Sequence, residues 1–490
     1  MRKVVIAGGG TAGWMTAVAF AKTLGDTVDV TLIESDDIGT IGVGEATIPP
    51  MITFNNLLKI DEAEFMRETQ ATFKLAIAFE GWKQKNDRYI HPFGVAGHDH
   101  WTAGFQHFWL NGKDRGHSEA YSLYSLESTA ANNNKFSHLP DNRLSYAYHL
   151  DSSRYAGYLR RISEANGAKR IEGKIKDVEL RDQDGHIRGL LLEDGNFVEG
   201  DFFVDCTGFR ALLIGKALGV GFEDWSHWLP NDSAIAVQTK SVSPPVPYTR
   251  SIAHEAGWQW RIPLQHRMGN GIVYCSEYMD QEKALETLLN SVDGDTLTEP
   301  NFIRFKTGAR KRQWEKNCVA VGLSSGFMEP LESTSIHLIQ RNVLRLLHMF
   351  PSHDIWQSDI DEFNRQSAED MDQIKDFLIL HYVANNREGE PFWDHVRNMN
   401  IPDTLKHRID LFHQTGRVFR HNDELFSENS WVQVMMGQGI VPQSYHPIAT
   451  KMRDDEVNYF LKSLRDNVAN AVENMPEHSQ FVAQYCASDK

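Results

Sequence analysis

Three glycines near the start of the chain have the spacing of a dinucleotide-binding loop. Gly8, Gly10 and Gly13 form a G-x-G-x-x-G motif between a predicted strand and a predicted helix. Missing side chains at such positions let the backbone approach a pyrophosphate at the helix N-terminus. Glu34 follows at the end of the next predicted strand, where a carboxylate can accept hydrogen bonds from a ribose. The motif predicts a bound dinucleotide but does not distinguish FAD from NAD.

A lysine interrupts an apolar segment that has the periodicity of a strand. Phe73, Leu75, Ile77 and Phe79 alternate with Lys74 and two alanines. One face of the strand would be large and apolar, and the other small. We therefore expect Lys74 to point across the alanines into open space, where its ammonium group could act on a bound molecule. The alternative is a lysine at a sheet edge in water, the usual environment of this residue.

Two tryptophans in the segment 257–263 are placed to form a wall. Trp258 and Trp260 are two residues apart, so in a strand their indoles share one face. Two such rings in front of a bound cofactor would exclude an organic substrate and let a small oxidant pass. The alternative is that both rings are core or interface aromatics.

Four more segments combine glycine or proline with polar residues. They are Gly42–Pro49, with two glycines and a proline suited to a loop against a cofactor ring, His91–Gly94, Val204–Gly208 and Gly326–Ser335. The tryptophan segment and three of these four resemble motifs of the flavin-dependent halogenases, a family that includes the tryptophan halogenases. The tryptophan segment resembles W-x-W-x-I-P and Gly42–Pro49 resembles G-V-G-E-A-T-x-P. His91–Gly94 resembles H-x-F-G, and Gly326–Ser335 resembles the segment that ends in P-L-E-S-T-G. The fourth, Val204–Gly208, resembles the strand and T-G element of flavoprotein monooxygenases. The resemblance implies FAD as the dinucleotide, and these cofactor-binding residues: Gly8, Gly10, Thr11, Ala12, Gly13, Glu34, Gly42, Val43, Gly44, Glu45, Ala46, Thr47, Asp205 and Gly208.

The resemblance also implies two catalytic residues on the substrate side of the tryptophan wall. Lys74 matches the lysine that hydrogen-bonds hypohalous acid or reacts with it to form a haloamine. Glu332 matches the carboxylate that stabilises the cationic ring intermediate and helps to remove its proton. Ser333 would link the flavin side to the substrate side, and Trp258 and Trp260 would shield the flavin.

The remaining implied contacts concern the halide and the arene. Backbone N–H groups of Thr334 and Ser335 would bind the halide, although Ser335 replaces the usual glycine of the family motif. His91 and Phe93 would stack on an electron-rich ring. No residues between 426 and 447 align with the contacts that the family makes to the amino-acid part of tryptophan. This favours indole itself or a larger indole-like molecule as the substrate.

Composition excludes other classes of function. The 490 residues have a net charge of -16, which repels nucleic acid and anionic membrane surfaces. No segment has the apolar length of a membrane span, and no signal peptide is predicted. The four cysteines lack C-x-x-C spacing, no metal-ligand spacing is recognisable, and a cytoplasmic protein is expected.

The predicted fold is α/β, an FAD-binding flavoprotein-monooxygenase-like fold with an antiparallel substrate-side sheet and a mostly helical C-terminal region. We assign the FAD-binding module to 1–230 and 315–350, the substrate-side sheet to 231–314 and the helical region to 351–490. The expected activity is halogenation of an indole-type arene, with reduced FAD, dioxygen and halide.

Two alternatives remain at this point: a flavin-dependent aromatic hydroxylase and a non-catalytic flavin-binding protein. Because only one dinucleotide motif is present, a separate flavin reductase is expected to supply the reduced FAD. A homodimer is compatible with the sequence.

Overall fold

The computed structural model describes residues 1–38 and 44–488. The predicted cofactor-binding residues Gly42 and Val43 lie outside the described residues. The α-helices of the described chain are α1 (Thr11–Thr23), α2 (Pro50–Leu57), α3 (Glu62–Glu68), α4 (Phe105–Asp114), α5 (Leu126–Asn132), α6 (Ser152–Ala165), α7 (Gln281–Ser291), α8 (Ser335–His348), α9 (Gln357–Val383), α10 (Pro391–Asn398), α11 (Asp403–Thr415), α12 (Glu428–Gly437), α13 (Asp454–Glu473) and α14 (His478–Tyr485).

The strands of the described chain are mostly short. They are β1 (Arg2–Ala7), β2 (Val28–Glu34), β3 (Gly44–Ala46), β4 (Thr72–Lys74), β5 (Ala76–Glu80), β6 (Arg88–Pro92), β7 (Ala147–Asp151), β8 (Lys169–Glu172), β9 (Ile175–Leu180), β10 (Ile187–Leu192), β11 (Phe197–Glu199), β12 (Phe202–Asp205), β13 (Phe222–Asp224), β14 (Ser233–Lys240), β15 (Tyr248–His254), β16 (Gly257–Pro263), β17 (Arg267–Tyr274), β18 (Asn301–Arg304), β19 (Gly308–Arg310), β20 (Trp314–Glu315), β21 (Cys318–Ala320) and β22 (Gly326–Phe327).

A six-stranded, mostly parallel sheet carries the glycine loop. Its order is β20-β21-β12-β1-β2-β8, with β1 parallel to both β2 and β12. The apolar residues Val4 to Ala7 are buried, as expected for a central parallel strand covered on both faces. The predicted strand, helix and strand of the first 34 residues are confirmed as β1, α1 and β2.

A seven-stranded sheet carries the tryptophan segment. Its order is β18-β14-β17-β16-β15-β5-β6, and all of its strand pairs are antiparallel except β5 with β15. Two of its strands, β5 and β6, come from residues 76–92, far earlier in the chain than the others. This sheet therefore takes strands from both sides of the predicted boundary at residue 230, and the division into domains stays a prediction.

The single strand predicted over residues 73–79 is wrong, because the segment divides at Leu75 between two sheets. β4 pairs with β7, whereas β5 pairs with β6 and β15. At Leu75 the backbone N–H donates to Pro247 and the carbonyl accepts from Phe93. Both faces of the segment are buried as a result, so Lys74 does not point into open space.

The described part of the predicted helical region, residues 351–488, is mostly helical, as predicted. Buried side chains of α9, α10 and α12 pack with those of the seven-stranded sheet in one apolar core. α8 begins at Ser335, so its N-terminus lies three residues after Glu332. Within residues 1–38 and 44–488, no helix is long and apolar enough to cross a membrane.

Candidate active site

A cavity of about 420 Å³ is lined by residues of both large sheets. Gly8, Glu34 and Cys206 contribute from the ends of β1, β2 and β12, and Trp258 and Trp260 contribute from β16. Ligands of open parallel sheets bind at the carboxyl ends of the strands, and this is where the cavity lies.

The glycine loop has the geometry of a pyrophosphate site. Gly8 has a φ of +109°, and a Cβ there would lie 2.2 Å from the carbonyl oxygen of Cys206. A Cβ at Gly13 would lie 1.9 Å from the carbonyl oxygen of Gly8, whereas one at Gly10 would meet nothing within 4 Å. The N-cap residue of α1, Gly10, has no side chain with which to cap the helix, and Gly10, Thr11 and Ala12 line the cavity. The positive end of α1 thus faces space that an anionic ligand can fill.

The other predicted cofactor residues divide into two groups. Those that line the cavity are Glu34, Gly44, Glu45, Ala46 and Gly208. Asp205 and Thr47 use their side chains within the protein instead. The Asp205 carboxylate accepts from the backbone N–H groups of Thr207, Leu213 and Ile214. The Thr47 hydroxyl donates to the carbonyl oxygen of Tyr148 at 2.9 Å.

Glu34 is held by neighbours that the sequence did not indicate. Its carboxylate lies 2.5 Å from Nε of Arg170 and 3.2 Å from the indole nitrogen of Trp14. Arg170 belongs to β8, which pairs with β2 beside Glu34. These contacts orient the carboxylate at the edge of the cavity.

The two tryptophans share one face of β16, as predicted. Their ring centroids are 6.2 Å apart, and both line the cavity. The absence of a side chain at Gly271 makes room for Trp260, because a Cβ there would lie 2.1 Å from its ring. The Trp258 indole donates to Glu329 at 2.8 Å.

Glu329 is a buried anchor for Trp258. Its Oε2 also accepts from the Asn231 amide at 3.0 Å and the Tyr382 hydroxyl at 2.5 Å. Burial raises the pKa of Glu329, and these hydrogen bonds oppose the shift. The network fixes the rotation of the indole that forms the cavity wall.

Ser333 connects the cavity to Lys74. Ser333 lines the cavity, and Nζ of Lys74 donates to its hydroxyl oxygen at 2.7 Å. Lys74 also donates to the carbonyl oxygen of Thr47 at 3.1 Å, and lies 4.9 Å from the centre of the Phe93 ring. Ser333 has a φ of +59°, an unusual conformation for a residue with a side chain. The lysine thus lies directly behind the residue that lines the cavity.

The environment of Lys74 is unusual for a lysine. The residue is 0% exposed. Burial lowers the pKa of Lys74 to about 7, and the negative charge of Glu332 opposes part of this shift. Near neutral pH the side chain is thus divided between an ammonium donor and a nucleophilic amine.

Glu332 is buried between two histidines. Nδ1 of His91 lies 2.9 Å from Oε2 and 3.1 Å from Oε1, and Nε2 of His381 lies 2.8 Å from Oε1. Burial would raise the pKa of Glu332, but the charges and hydrogen bonds of His91 and His381 lower it to about 2. The carboxylate therefore stays ionised in a dry site.

Aromatic rings lie close to His91, the histidine that contacts both oxygens of Glu332. The His91 ring lies 5.6 Å from Phe377 and 6.3 Å from Phe426, which stack on each other at 3.7 Å. Sequence reasoning selected His91 and Phe93 but missed His381, Phe377 and Phe426. These three residues lie on or after α9, where no motif marks them.

The N-terminus of α8 brings the predicted halide residues next to Ser333. Ser335 is the first residue of α8 and lines the cavity. Thr334 is buried at the cap position with φ -90° and ψ -9°. The first N–H groups of a helix have no partner within it, so this end of α8 can receive an anion.

Comparisons with known proteins show the family of the chain. The chain matches the tryptophan halogenase family over residues 3–454. A flavin-dependent halogenase from Xanthomonas campestris is 56% identical, with 100% of this chain and 99% of that chain covered and a TM-score of 0.99. A flavin-dependent halogenase from Brevundimonas sp. BAL3 is 44% identical, with 99% of each chain covered and a TM-score of 0.94. A tryptophan 6-halogenase from Streptomyces toxytricini is 35% identical, with 98% of each chain covered.

Fold and site together define a flavin-dependent enzyme. The chain belongs to the tryptophan halogenase family.

Proposed function

We propose that this protein uses reduced FAD, dioxygen and halide to halogenate an electron-rich, indole-type arene. The observation that carries the proposal is the position of Lys74, buried behind Ser333 at the wall of a dinucleotide cavity. Burial of a lysine in contact with neutral groups is unfavourable, so a function for the amine explains why the residue is tolerated there.

The chain has the groups needed to hold FAD. The N-terminus of α1 would receive the pyrophosphate, Glu34 the ribose, and residues 44–46 and Gly208 the remainder of the cofactor. When bound, reduced FAD supplies the two electrons with which dioxygen and halide give hypohalous acid and water. Trp258 and Trp260 would keep the arene away from the cofactor. They would exclude ordinary ring hydroxylation in this way.

Lys74 would receive the hypohalous acid that passes Ser333. As an ammonium ion it would donate a hydrogen bond to the oxygen and make the halogen more electrophilic. As an amine it would form an N–halogen bond, and the oxygen would leave as water. As the arene gains a carbon–halogen bond and becomes a cation, the oxygen–halogen or nitrogen–halogen bond breaks. Its electron pair stays on the oxygen, which takes the ammonium proton and leaves as water, or on the nitrogen, which takes up a proton and becomes the amine again.

Glu332 would complete the substitution. Its carboxylate stabilises the cationic ring, the ring C–H bond breaks, and that electron pair restores the aromatic system. The proton passes to a carboxylate oxygen. Because His91 and His381 lower the pKa of Glu332 to about 2, proton removal is driven by electrostatic stabilisation of the cation rather than by a strong base.

The halide, the reductase and the substrate belong to the same proposal. The N-terminus of α8, with Thr334 and Ser335, would hold the halide. A separate flavin reductase would supply reduced FAD. Indole or a larger indole-like molecule remains the favoured substrate, since the segment 426–447 lacks recognisable contacts for a free amino acid. The four cysteines are free, which is compatible with a cytoplasmic location. A homodimer is also compatible with the proposal.

Two other functions fit the fold less well. An aromatic hydroxylase would need its arene beside the cofactor, where the two tryptophans lie, and would have no use for Lys74. A non-catalytic flavin-binding protein would have no need for a buried lysine and carboxylate behind Ser333.

Replacement of the lysine tests the proposal. Lys74→Ala should abolish halogenation but leave FAD binding and hypohalous acid formation intact, because the lysine acts after the oxidant forms. A thiol or dye reagent would trap the free oxidant. Lys462→Ala, at an exposed position on α13, is the control and should behave as the wild type. Loss of the trapped oxidant together with the product would show that Lys74 acts on the flavin side.

A further inference from the structure

His381 follows every predicted motif in the sequence and contacts the proposed catalytic carboxylate, Glu332. It lies near the end of α9 and is 0% exposed. Its Nδ1 is 2.8 Å from the carbonyl oxygen of Phe377, and its Nε2 is 2.8 Å from Oε1 of Glu332. Phe79 lies against the imidazole, with ring centroids 4.7 Å apart, and restricts its rotation.

The contact to Phe377 defines where one hydrogen of the imidazole must be. A carbonyl oxygen only accepts, so Nδ1 of His381 carries a hydrogen. Nε2 lies 2.8 Å from Oε1 of Glu332, a close contact without the alignment of a hydrogen bond. The edge of the imidazole therefore lies directly against the carboxylate.

We propose that His381 is a positioning residue that holds Glu332 in one orientation and keeps it ionised for removal of the ring proton. The inference rests on the proposed role of Glu332. His91 contacts both carboxylate oxygens and so does not by itself select between them. Nε2 of His381 lies 2.8 Å from Oε1, and this second contact restricts the rotation of the carboxylate.

The pH dependence of the reaction should report this contact. The titratable groups that face Glu332 are Lys74 from β4, Tyr89 and His91 from β6, and His381 from α9. His381 lowers the pKa of Glu332, so its loss should move this pKa upward. Glu332 acts in its ionised form. As the pH falls, the variant should therefore lose activity at a higher pH than the wild type does.

Two amide substitutions separate the contacts of the imidazole. The amide nitrogen of asparagine can replace Nδ1 and keep the bond to Phe377, but it cannot reach Glu332. That of glutamine can replace Nε2 and donate to Glu332. His381→Asn should lower kcat about tenfold or more, the order expected for loss of one charge-assisted contact, and move the acidic limb of the pH profile to higher pH. His381→Gln should stay within about threefold of the wild type, with a smaller shift of that limb.

Controls distinguish this inference from the proposed function. His107 is a buried histidine on α4 that accepts from the backbone of His446, and His107→Asn should leave the pH profile unchanged. The double variant His381→Asn with Glu332→Gln should lack the acidic limb. Equal losses in His381→Asn and His381→Gln, or an unshifted limb in His381→Asn, would overturn the role of His381. Full activity of Glu332→Gln would instead remove the role of Glu332 on which it rests.

Discussion

Replacement of Lys74 by methionine should stabilise the protein while it abolishes halogenation. Methionine has a similar length and no charge, so it fills the same buried space without the penalty of a desolvated ammonium group. The stabilisation should depend on pH, because it is the charged form of Lys74 that burial disfavours.

The pKa of Lys74 sets the magnitude and the sign. It falls from the ordinary value of 10.5 to about 7 in the folded protein. Each pH unit of difference is worth about 1.4 kcal/mol, so the charged lysine destabilises the fold by about 5 kcal/mol below pH 7. Between pH 7 and 10.5 the unfolded chain keeps a proton that the folded chain has released, so wild-type stability rises with pH. By pH 9 the penalty has fallen to about 2 kcal/mol.

The comparison between two pH values isolates this effect. Loss of the hydrogen bonds to Thr47 and Ser333 reduces the gain by about 1–3 kcal/mol at each pH and cancels in the comparison. The advantage of Lys74→Met should thus be about 3 kcal/mol larger at pH 6 than at pH 9. A chain of 490 residues has an unfolding entropy of about 1 kcal/mol per degree, which makes this a difference of about 3 °C in Tm.

Scanning calorimetry measures this difference in Tm. The cofactor-free wild type and Lys74→Met are compared at pH 6 and at pH 9, at one scan rate. Lys462→Met, at an exposed position, is the control and should show no such dependence on pH. An advantage that is equal at both pH values, or larger at pH 9, would refute the buried, partly deprotonated state of Lys74.

Three further predictions concern the reaction itself. Glu332→Gln should slow halogenation about 100-fold, the order expected for one positioned electrostatic group, as measured by product formation at saturating substrate; unchanged turnover would remove Glu332 from the mechanism. Bromide should be used better than chloride when both compete at equal concentration, because bromide is more easily oxidised, and Ser335→Gly should raise the chlorinated fraction; an unaltered ratio would exclude Ser335 as the cause. The purified protein alone should not consume NADH, and a flavin reductase should restore turnover; sustained consumption without the reductase would contradict the two-component scheme.

Local patterns predicted the elements that they alone determine. The glycine loop, α1 and the strands on either side of it follow from short apolar runs and three glycines, and the two indoles share a face because β16 is regular. Each depends on neighbours within a few positions in the chain.

Long-range contacts decided the features that the sequence did not reveal. The break at Leu75 depends on Pro247 and Phe93, and neither leaves a signal in the alternation of residues 73–79. The contact between Glu332 and His381 depends on how α9 packs on the seven-stranded sheet. The Glu329 network likewise joins residues from distant segments, including Asn231 and Tyr382. Such polar clusters are visible only after the helices and sheets are assembled.

We expect this chain to halogenate an arene and not to hydroxylate it. The protein should be incubated with FAD, a flavin reductase, NADH, dioxygen, bromide and indole, with Lys74→Ala in parallel, and the product mass determined. We predict one bromine in place of one ring hydrogen for the wild type, and unchanged indole for Lys74→Ala after free oxidant is trapped. A product that has gained one oxygen and no bromine would identify a hydroxylase, and unchanged indole with the wild type would contradict catalysis altogether.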